Sequence, residues 1–452
     1  MLPVGNEQEN RYFNLFCAQT SFEIMPSHDA FSTRQMVLQA CYSDASLKHA
    51  VIALAALDKT AETTIDFSRL SLDNGSQFTR ANEHHQFSLE EYTKAVANMR
   101  TGNTLNDVRT TLISILLIFC FEAWNGNMDM AVRQIQNGVR IIQEWKSTIR
   151  DADKTPEGMS PAPHVVEHDL IRIYGRLVIQ LSFFYHTLGG DLLTLYVNQE
   201  REFLDSMPTF FTTIEESLRY HQALFKRGTL FFSSFISDPP PLHSEIAIEL
   251  VSEQKFTSTK SLQWLKAFDP MYKAFASGYS ICESRMVRTY KAQILVAYIV
   301  VSTFFSDQTV YDKYRDMFAE ITSLIEEALA LQPVVGKSNP TNYSLAGRAV
   351  STLWITGVRC RDRSIRRKSI VLLLKYPRRE GVWDSLFSAK IIEFVMELEE
   401  QHLEDDYVPE WARISSIRWE SDLEKRTAAL ICEQRTSSSS QDAVIKTKTI
   451  TW

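Results

Sequence analysis

His164, Glu167 and His168 form the spacing H-x-x-E-H. On a helix this turns two imidazoles toward one metal ion and leaves a carboxylate beside them, the donor set of a zinc-dependent hydrolase. The set still needs a third ligand and a cleft, and its plainer reading is the polar start of a helix. His84 and His85 are adjacent, so on a helix they point about 100° apart and do not share an ion. Glu215-Glu216, Glu326-Glu327 and Asp405-Asp406 are neighbours in sequence. A general acid and base must instead face each other across a pocket, so these pairs read as solvent-facing charge. The chain has no G-x-S-x-G elbow, no G-x-x-x-x-G-K-[ST] loop and no G-x-G-x-x-G after a strand. No catalytic, cofactor-binding or metal residue is assigned, and the expectation is a protein that is not an enzyme.

The strongest charge feature runs from Arg359 to Arg379, with nine Lys and Arg against Asp362 alone. Three uses compete for it. Its cations can pair within the fold with Glu393, Glu397, Glu400 and Glu404, which recur along one side of a following helix. Arg361, Arg363, Arg366, Arg367 and Lys368 can form a surface for a protein partner or a nuclear import receptor. Direct DNA binding is the third use, and only Tyr376 is available in the segment to stack on a base. Pairing within the fold is the favoured reading.

The whole chain argues against a polyanion-binding surface. Its 452 residues carry 48 Lys and Arg against 55 Asp and Glu, a net charge of −7. The longest nearly apolar runs, 112–121 and 294–305, fall short of the roughly 20 residues that cross a bilayer, so no membrane partner is expected. The opening MLPVGNEQENR has no basic stretch leading into an apolar one, which favours a reducing cytosol or nucleus. Cys17, Cys41, Cys120, Cys282, Cys360 and Cys432 are too widely spaced to close a zinc tetrahedron and read as buried thiols.

The elements that would position these residues are helices. Leu47, Ala50, Val51, Leu54 and Leu57 follow a capping Ser43 or Asp44 at helical spacing. A short helix begins near Ser88 and stops at Thr101-Gly102-Asn103. Two apolar stripes, Leu105 to Phe119 and Ala131 to Trp145, flank Asn125-Gly126-Asn127 and predict an antiparallel hairpin. Further helices are predicted over 170–188, 203–235, 272–305 and 311–331. Pro377 ends a basic helix before a turn at PRREG. The predicted fold is all-α, an irregular array of antiparallel helical hairpins with no sizeable sheet. It divides into an N-terminal lobe at 1–150, a Pro-containing linker at 151–163, a C-terminal lobe at 164–432 and a mobile tail at 433–452.

Three stretches carry a resemblance: FSTRQMVLQACYSDASLKHAVIALAAL over 31–57, LLIFCFEAWNGNMDMAVRQIQNGVRIIQEW ending at Trp145, and CRDRSIRRKSIVLLLKYPRREGVWDS from Cys360. They resemble the regulatory, or middle homology, region of the fungal-specific transcription factors that carry a binuclear zinc cluster. The last is the most specific, because amphipathicity alone does not dictate PRREGVWDS. Only Cys17 and Cys41 lie in the first 100 residues and no heptads precede the helices, so neither the zinc cluster nor a dimerising coiled coil is carried over. The resemblance implies a nuclear regulator of gene expression, controlling a metabolic or biosynthetic pathway such as secondary metabolism. It would act through contacts with the transcription machinery or a DNA-binding factor, and bind DNA poorly alone. It allows a small-molecule effector between helices and a homodimer. A helical scaffold that only titrates a partner is the remaining alternative.

Overall fold

The computed structural model describes residues 5–25, 30–70, 74–101, 107–150, 159–182, 200–235, 248–278, 280–331, 343–345, 349–414, 416–422, 427–439 and 442–452. The chain forms two compact units. One comprises Met1–Leu181, Val334–Ala346 and Arg379–Val382, and the other Ser182–Pro333, Gly347–Arg378 and Trp383–Trp452. The mostly all-α architecture is as the periodicity predicts.

In the first unit, α1 (Glu7–Leu15) leads through a π-helical turn (Phe16–Thr20) to α2 (Ser21–Ile24), α3 (Ala30–Ser43), α4 (Ala45–Leu70) and α5 (Asn74–Thr101). Asp44 caps α4, its Oδ1 accepting from the N–H groups of Ser46 and Leu47 at 2.7 and 3.2 Å. Residues 50–56 of α4 are buried on every side, and the small side chains of Ala50, Ala53, Ala55 and Ala56 let its neighbours approach closely. α5 runs well upstream of the expected start at Ser88. Its early turns, rich in Asn, Gln, Glu and His, carry no apolar stripe and so give no periodic signal.

α6 (Val108–Asn125) and α7 (Met128–Ser147) are the predicted hairpin. Asp107 caps α6, whose end is set by Gly126 in the left-handed region at φ 95°. By length and composition α6 could cross a membrane, but 67% of it is buried within the protein, as for a core helix. α8 (His168–Ser182) brings Tyr174 to donate its hydroxyl to Leu112 O at 2.7 Å. Gly138 makes room for that ring, since a Cβ there would lie 2.2 Å from Tyr174 Cε1. Gly138→Ala is therefore expected to destabilise the unit by about 1–2 kcal/mol, overpacking outweighing the helix propensity gained, as a denaturant titration would show.

The same unit includes two short segments from far along the chain. β1 (Tyr343–Ser344) pairs in parallel with β2 (Arg379–Glu380). Tyr343 stacks on Trp124 at 5.1 Å, and Leu345 N donates to Ile24 O at 2.8 Å.

In the second unit, α9 (Glu200–Asp205), α10 (Ile214–Phe235), α11 (Ile248–Ala276) and α12 (Ile281–Thr303) share a core around Trp264. Trp264 is fully buried, and its indole N–H donates to Ser217 O at 3.0 Å. α11 holds Pro270, which lacks the N–H of a normal turn, while Ala267 O accepts from Phe211 N at 3.3 Å. A 3-10 turn (Gln308–Tyr314) precedes α13 (Arg315–Ala330). Its first N–H groups, of Gln308 and Thr309, donate to the carboxylate of Glu410 at 2.9 and 2.8 Å. Then follow α14 (Val350–Arg359), α15 (Arg363–Lys375), β3 (Trp383–Asp384) and α16 (Ser385–Glu400).

The chain closes with an antiparallel sheet of β4 (Ser416–Asp422), β5 (Thr427–Arg435) and β6 (Ala443–Thr451), with β5 central. Burial alternates along β5, so Ala428, Leu430, Cys432 and Gln434 face inward. Trp419 and Trp452 pack on Phe387 of α16 at 5.8 and 4.5 Å between ring centroids.

Three expectations are corrected here. The tail at 433–452 is not a mobile end, because most of it forms the end of β5 and all of β6. β6 is rich in Lys and Thr and buries only Ile450, so it shows no alternating apolar pattern in sequence. The chain also divides near Leu181 rather than at 151–163, because α8 packs Tyr174 into the first unit; residues 151–158 lie outside the described ones. Finally, Cys17 is half-buried and Cys282 exposed, whereas the other four thiols are buried as expected.

Candidate interaction surface

The basic segment folds as a helix because Asp362 starts it. Its Oδ1 accepts from Ser364 N and Ile365 N at 3.0 and 3.1 Å, and its Oδ2 from Arg315 Nε at 2.7 Å. Burial works to raise this carboxyl, but Ser364, the Ile365 N–H and Arg315 outweigh it and hold the group at about 2. α15 ends before Pro377. Asp384 starts α16 in the same way, accepting from Leu386 N and Phe387 N at 2.9 and 3.1 Å.

The five cations of the candidate surface fall into two groups. The side chains of Arg361 and Arg366 are 3% and 1% exposed. Both donate to Glu399, which is fully buried: Arg361 Nη2 to Oε1 at 2.8 Å and Arg366 Nη2 to Oε2 at 2.5 Å. Glu399 Oε1 also accepts from Ile414 N at 2.8 Å. Arg366 Nε is shared between Gly357 O and Cys360 O, each at 3.0 Å. Burial alone would raise the Glu399 carboxyl, yet the two guanidiniums hold it at about 2.

The other three reach solvent. Arg367 makes a bidentate pair with Glu400 at 3.0 and 2.7 Å. Arg363 Nη1 donates to Asp406 Oδ1 at 2.8 Å, and Lys368 Nζ lies 2.8 Å from Glu326 Oε2. Of the predicted acidic stripe, Glu400 meets this helix, whereas Glu393 pairs with Lys390 and Glu397 with Lys448. Sequence reasoning passed over Glu399. Its signal is its register: it continues the buried positions Ile392, Val395 and Leu398 of α16, where a carboxylate requires a cation.

Asp405 and Asp406, predicted as solvent-facing, both adopt left-handed backbone, at φ 47° and 68°. They form a tight turn in which Glu404 and Tyr407 exchange both backbone hydrogen bonds, at 2.8 and 2.9 Å. Asparagine and glycine suit these two positions better. The double variant Asp405→Asn, Asp406→Gly is expected to gain about 1 kcal/mol in a urea titration, even with the exposed Arg363 pair lost.

The H-x-x-E-H residues do not share a helix. His164 is exposed on a turn ahead of α8, and Glu167 accepts from Arg109 Nε at 2.7 Å. His168 begins α8, its Nδ1 accepting from Ser160 N at 2.8 Å. The helical spacing that would aim both imidazoles at one ion is absent. Among the described residues, Glu9, His49 and Glu91 do converge, with ligand atoms within 4.8 Å of one another. The ammonium of Lys94 already lies against both carboxylates, 3.1 Å from Glu9 Oε1 and 2.5 Å from Glu91 Oε1. His84 Nδ1 and the Tyr12 hydroxyl share a hydrogen bond at 2.6 Å, and His85 meets Asn125 at 3.1 Å.

Among the described residues the site is built from ion pairs, two of them buried on Glu399 and the others reaching solvent. Such a constellation braces helices and presents charge. Residues 11–206 match the fungal specific transcription factor domain. This part of the chain is similar to that domain. A 48-residue stretch is 44% identical to the aspercryptin biosynthesis cluster-specific transcription regulator atnN of Emericella nidulans, covering 11% of this chain and 8% of that protein. No solved structure matches the chain. The transcription factor domain lies N-terminal to the basic segment, and the two short pieces around β1 and β2 complete the compact unit that holds most of it.

Proposed function

We propose that the chain is a regulator of transcription that acts through its helical body and its protein partners, controlling a metabolic or biosynthetic pathway from the nucleus. The match of residues 11–206 to the transcription factor domain carries this reading. The aspercryptin regulator adds the expectation that the pathway is one of secondary metabolism. The chain's own charge of −7 and the pairing of its basic helix favour contacts with the transcription machinery or a DNA-binding factor over strong DNA binding by this chain alone. Arg361 and Arg366 are buried against Glu399 and do not face a partner, so in this reading the partner surface comprises Arg363, Arg367 and Lys368.

Transcript profiling after deletion and after overexpression of the gene tests the reading. Opposite responses of a coherent set of pathway genes are expected for an activator, and matching responses identify a titrating scaffold instead. Unchanged transcripts in both strains refute regulation. In a gel shift with salt titration, tight and specific duplex binding by the purified chain would refute the dependence on a DNA-binding partner.

A further inference from the structure

The outward stripe of α15 runs through Arg363, Arg367, Val371, Leu374 and Lys375 at helical spacing. Its inner face is complete with Ile365, Ile370, Leu372 and Leu373, all buried, yet Val371 and Leu374 stand 56% and 41% exposed beside each other. Cations flank them on both sides. α15 carries five Lys and Arg and no carboxylate. Arg363, Arg367 and Lys368 pair with Asp406, Glu400 and Glu326, but their side chains remain 47%, 43% and 35% exposed. The single-point pairs of Arg363 with Asp406 and Lys368 with Glu326 are of the exposed kind that contributes little and exchanges readily, so an incoming carboxylate can share these two cations at small cost. Among the described residues no carboxylate pairs with Lys375, whose ammonium lies 5.2 Å from the ring centre of Tyr376.

This pattern discriminates between occupants. A second copy would set the same cations against themselves. A nucleic acid would satisfy the cations but leave Val371 and Leu374 without a partner surface. An acidic helix with one apolar face satisfies both, its aliphatic side chains covering Val371 and Leu374 and its carboxylates reaching Lys375 and the rim arginines. We propose that the outward face of α15 docks an acidic amphipathic helix of a partner protein. The proposal rests on the reading of the chain as a regulator working through protein contacts, and names the partner's chemistry.

The test uses the full chain and a fluorescein-labelled peptide of about 20 residues, with leucines along one helical face and glutamates beside them, read by anisotropy. Saturable binding that weakens with salt is expected, with no comparable binding of a peptide of the same composition in scrambled order. Val371→Ser with Leu374→Ser should weaken binding about tenfold, and Lys375→Glu several-fold with a flatter salt dependence. Thermal melts of these exposed-site variants should match the parent, so lost binding is not lost folding. Equal binding of the scrambled peptide, or unaltered binding by the variants, overturns the proposal. So does a parent chain that sediments as a dimer and becomes monomeric with Val371→Asp and Leu374→Asp, or duplex DNA that competes the peptide away. If the peptide fails while gene deletion still alters transcripts, the docking face falls and the regulator stands. If the peptide binds as expected and transcripts do not respond, the regulator falls and the docking face stands.

Discussion

Glu399→Ala is expected to destabilise the second unit by about 3–5 kcal/mol, the cost of removing one partner from a buried ion pair. Two guanidiniums, Arg361 and Arg366, share this one carboxylate, and all three side chains are at most 3% exposed. Alanine would leave two desolvated cations facing each other and free the Ile414 N–H. Glu399→Gln keeps the shape and one acceptor but not the charge, so its loss should be smaller. Hydrogen exchange would localise the effect to α15, α16 and the segment around Ile414. The pH dependence follows from the same geometry. The folded carboxyl lies at about 2 against an ordinary 4.5, so its contribution is complete above about 4.5 and is lost as pH falls toward 2. Removing the carboxylate should flatten the stability profile across that acid window and change little of its slope above it. A Glu399→Gln variant with an unchanged acid limb would show that the charge is not what the arginines require.

Gly381→Val is expected to cost about 3 kcal/mol, felt in the first unit, from left-handed backbone strain, a steric clash and a weakened hydrogen bond. Gly381 sits at φ +57°, and a Cβ there would fall 2.0 Å from Gln180 Oε1. Gln180 cannot simply turn away, because its Nε2 donates to Leu345 O at 3.0 Å in the buried interior. Gly381 N in turn donates to Ser344 O at 2.7 Å. Two residues earlier, Arg379 Nη1 donates to Ala123 O at 2.8 Å and Trp124 O at 3.1 Å, closing the end of α6 as cations do at helix C-termini. Increased hydrogen exchange at the last turn of α6 and at α8 would confirm the assignment. An effect confined to residues near Gly381 would contradict it.

Helices bounded by explicit chemistry were legible in the sequence. Asp44 and Gly126 set ends of α4 and α6 where capping rules place them, and Pro377 ends α15. PRREG stood out as a turn that amphipathicity does not require, but nothing local says that Arg379 belongs at the end of a helix more than 250 residues earlier. Long-range contacts of this kind leave no periodic trace. The basic segment was visible as charge, yet its division into buried Arg361 and Arg366 and half-exposed Arg363, Arg367 and Lys368 depends on Glu399, one position from the stripe that the eye follows. The H-x-x-E-H residues read more plainly as the polar start of a helix than as a metal site, and α8 does start at the final histidine, with His164 ahead of it. β4 to β6 were missed because only β5 carries a strong inward alternation, while its neighbours are polar edges.

The placement of Arg379 also dictates an order of events on the ribosome. The carbonyls that end α6 are made early, and the guanidinium that covers them emerges only after a further 255 or so residues have been joined, on the order of tens of seconds at ordinary elongation speeds. The nascent N-terminal helices must wait through that interval with one helix end uncovered. Their final consolidation thus comes late in synthesis even though nearly all of their own residues are translated first.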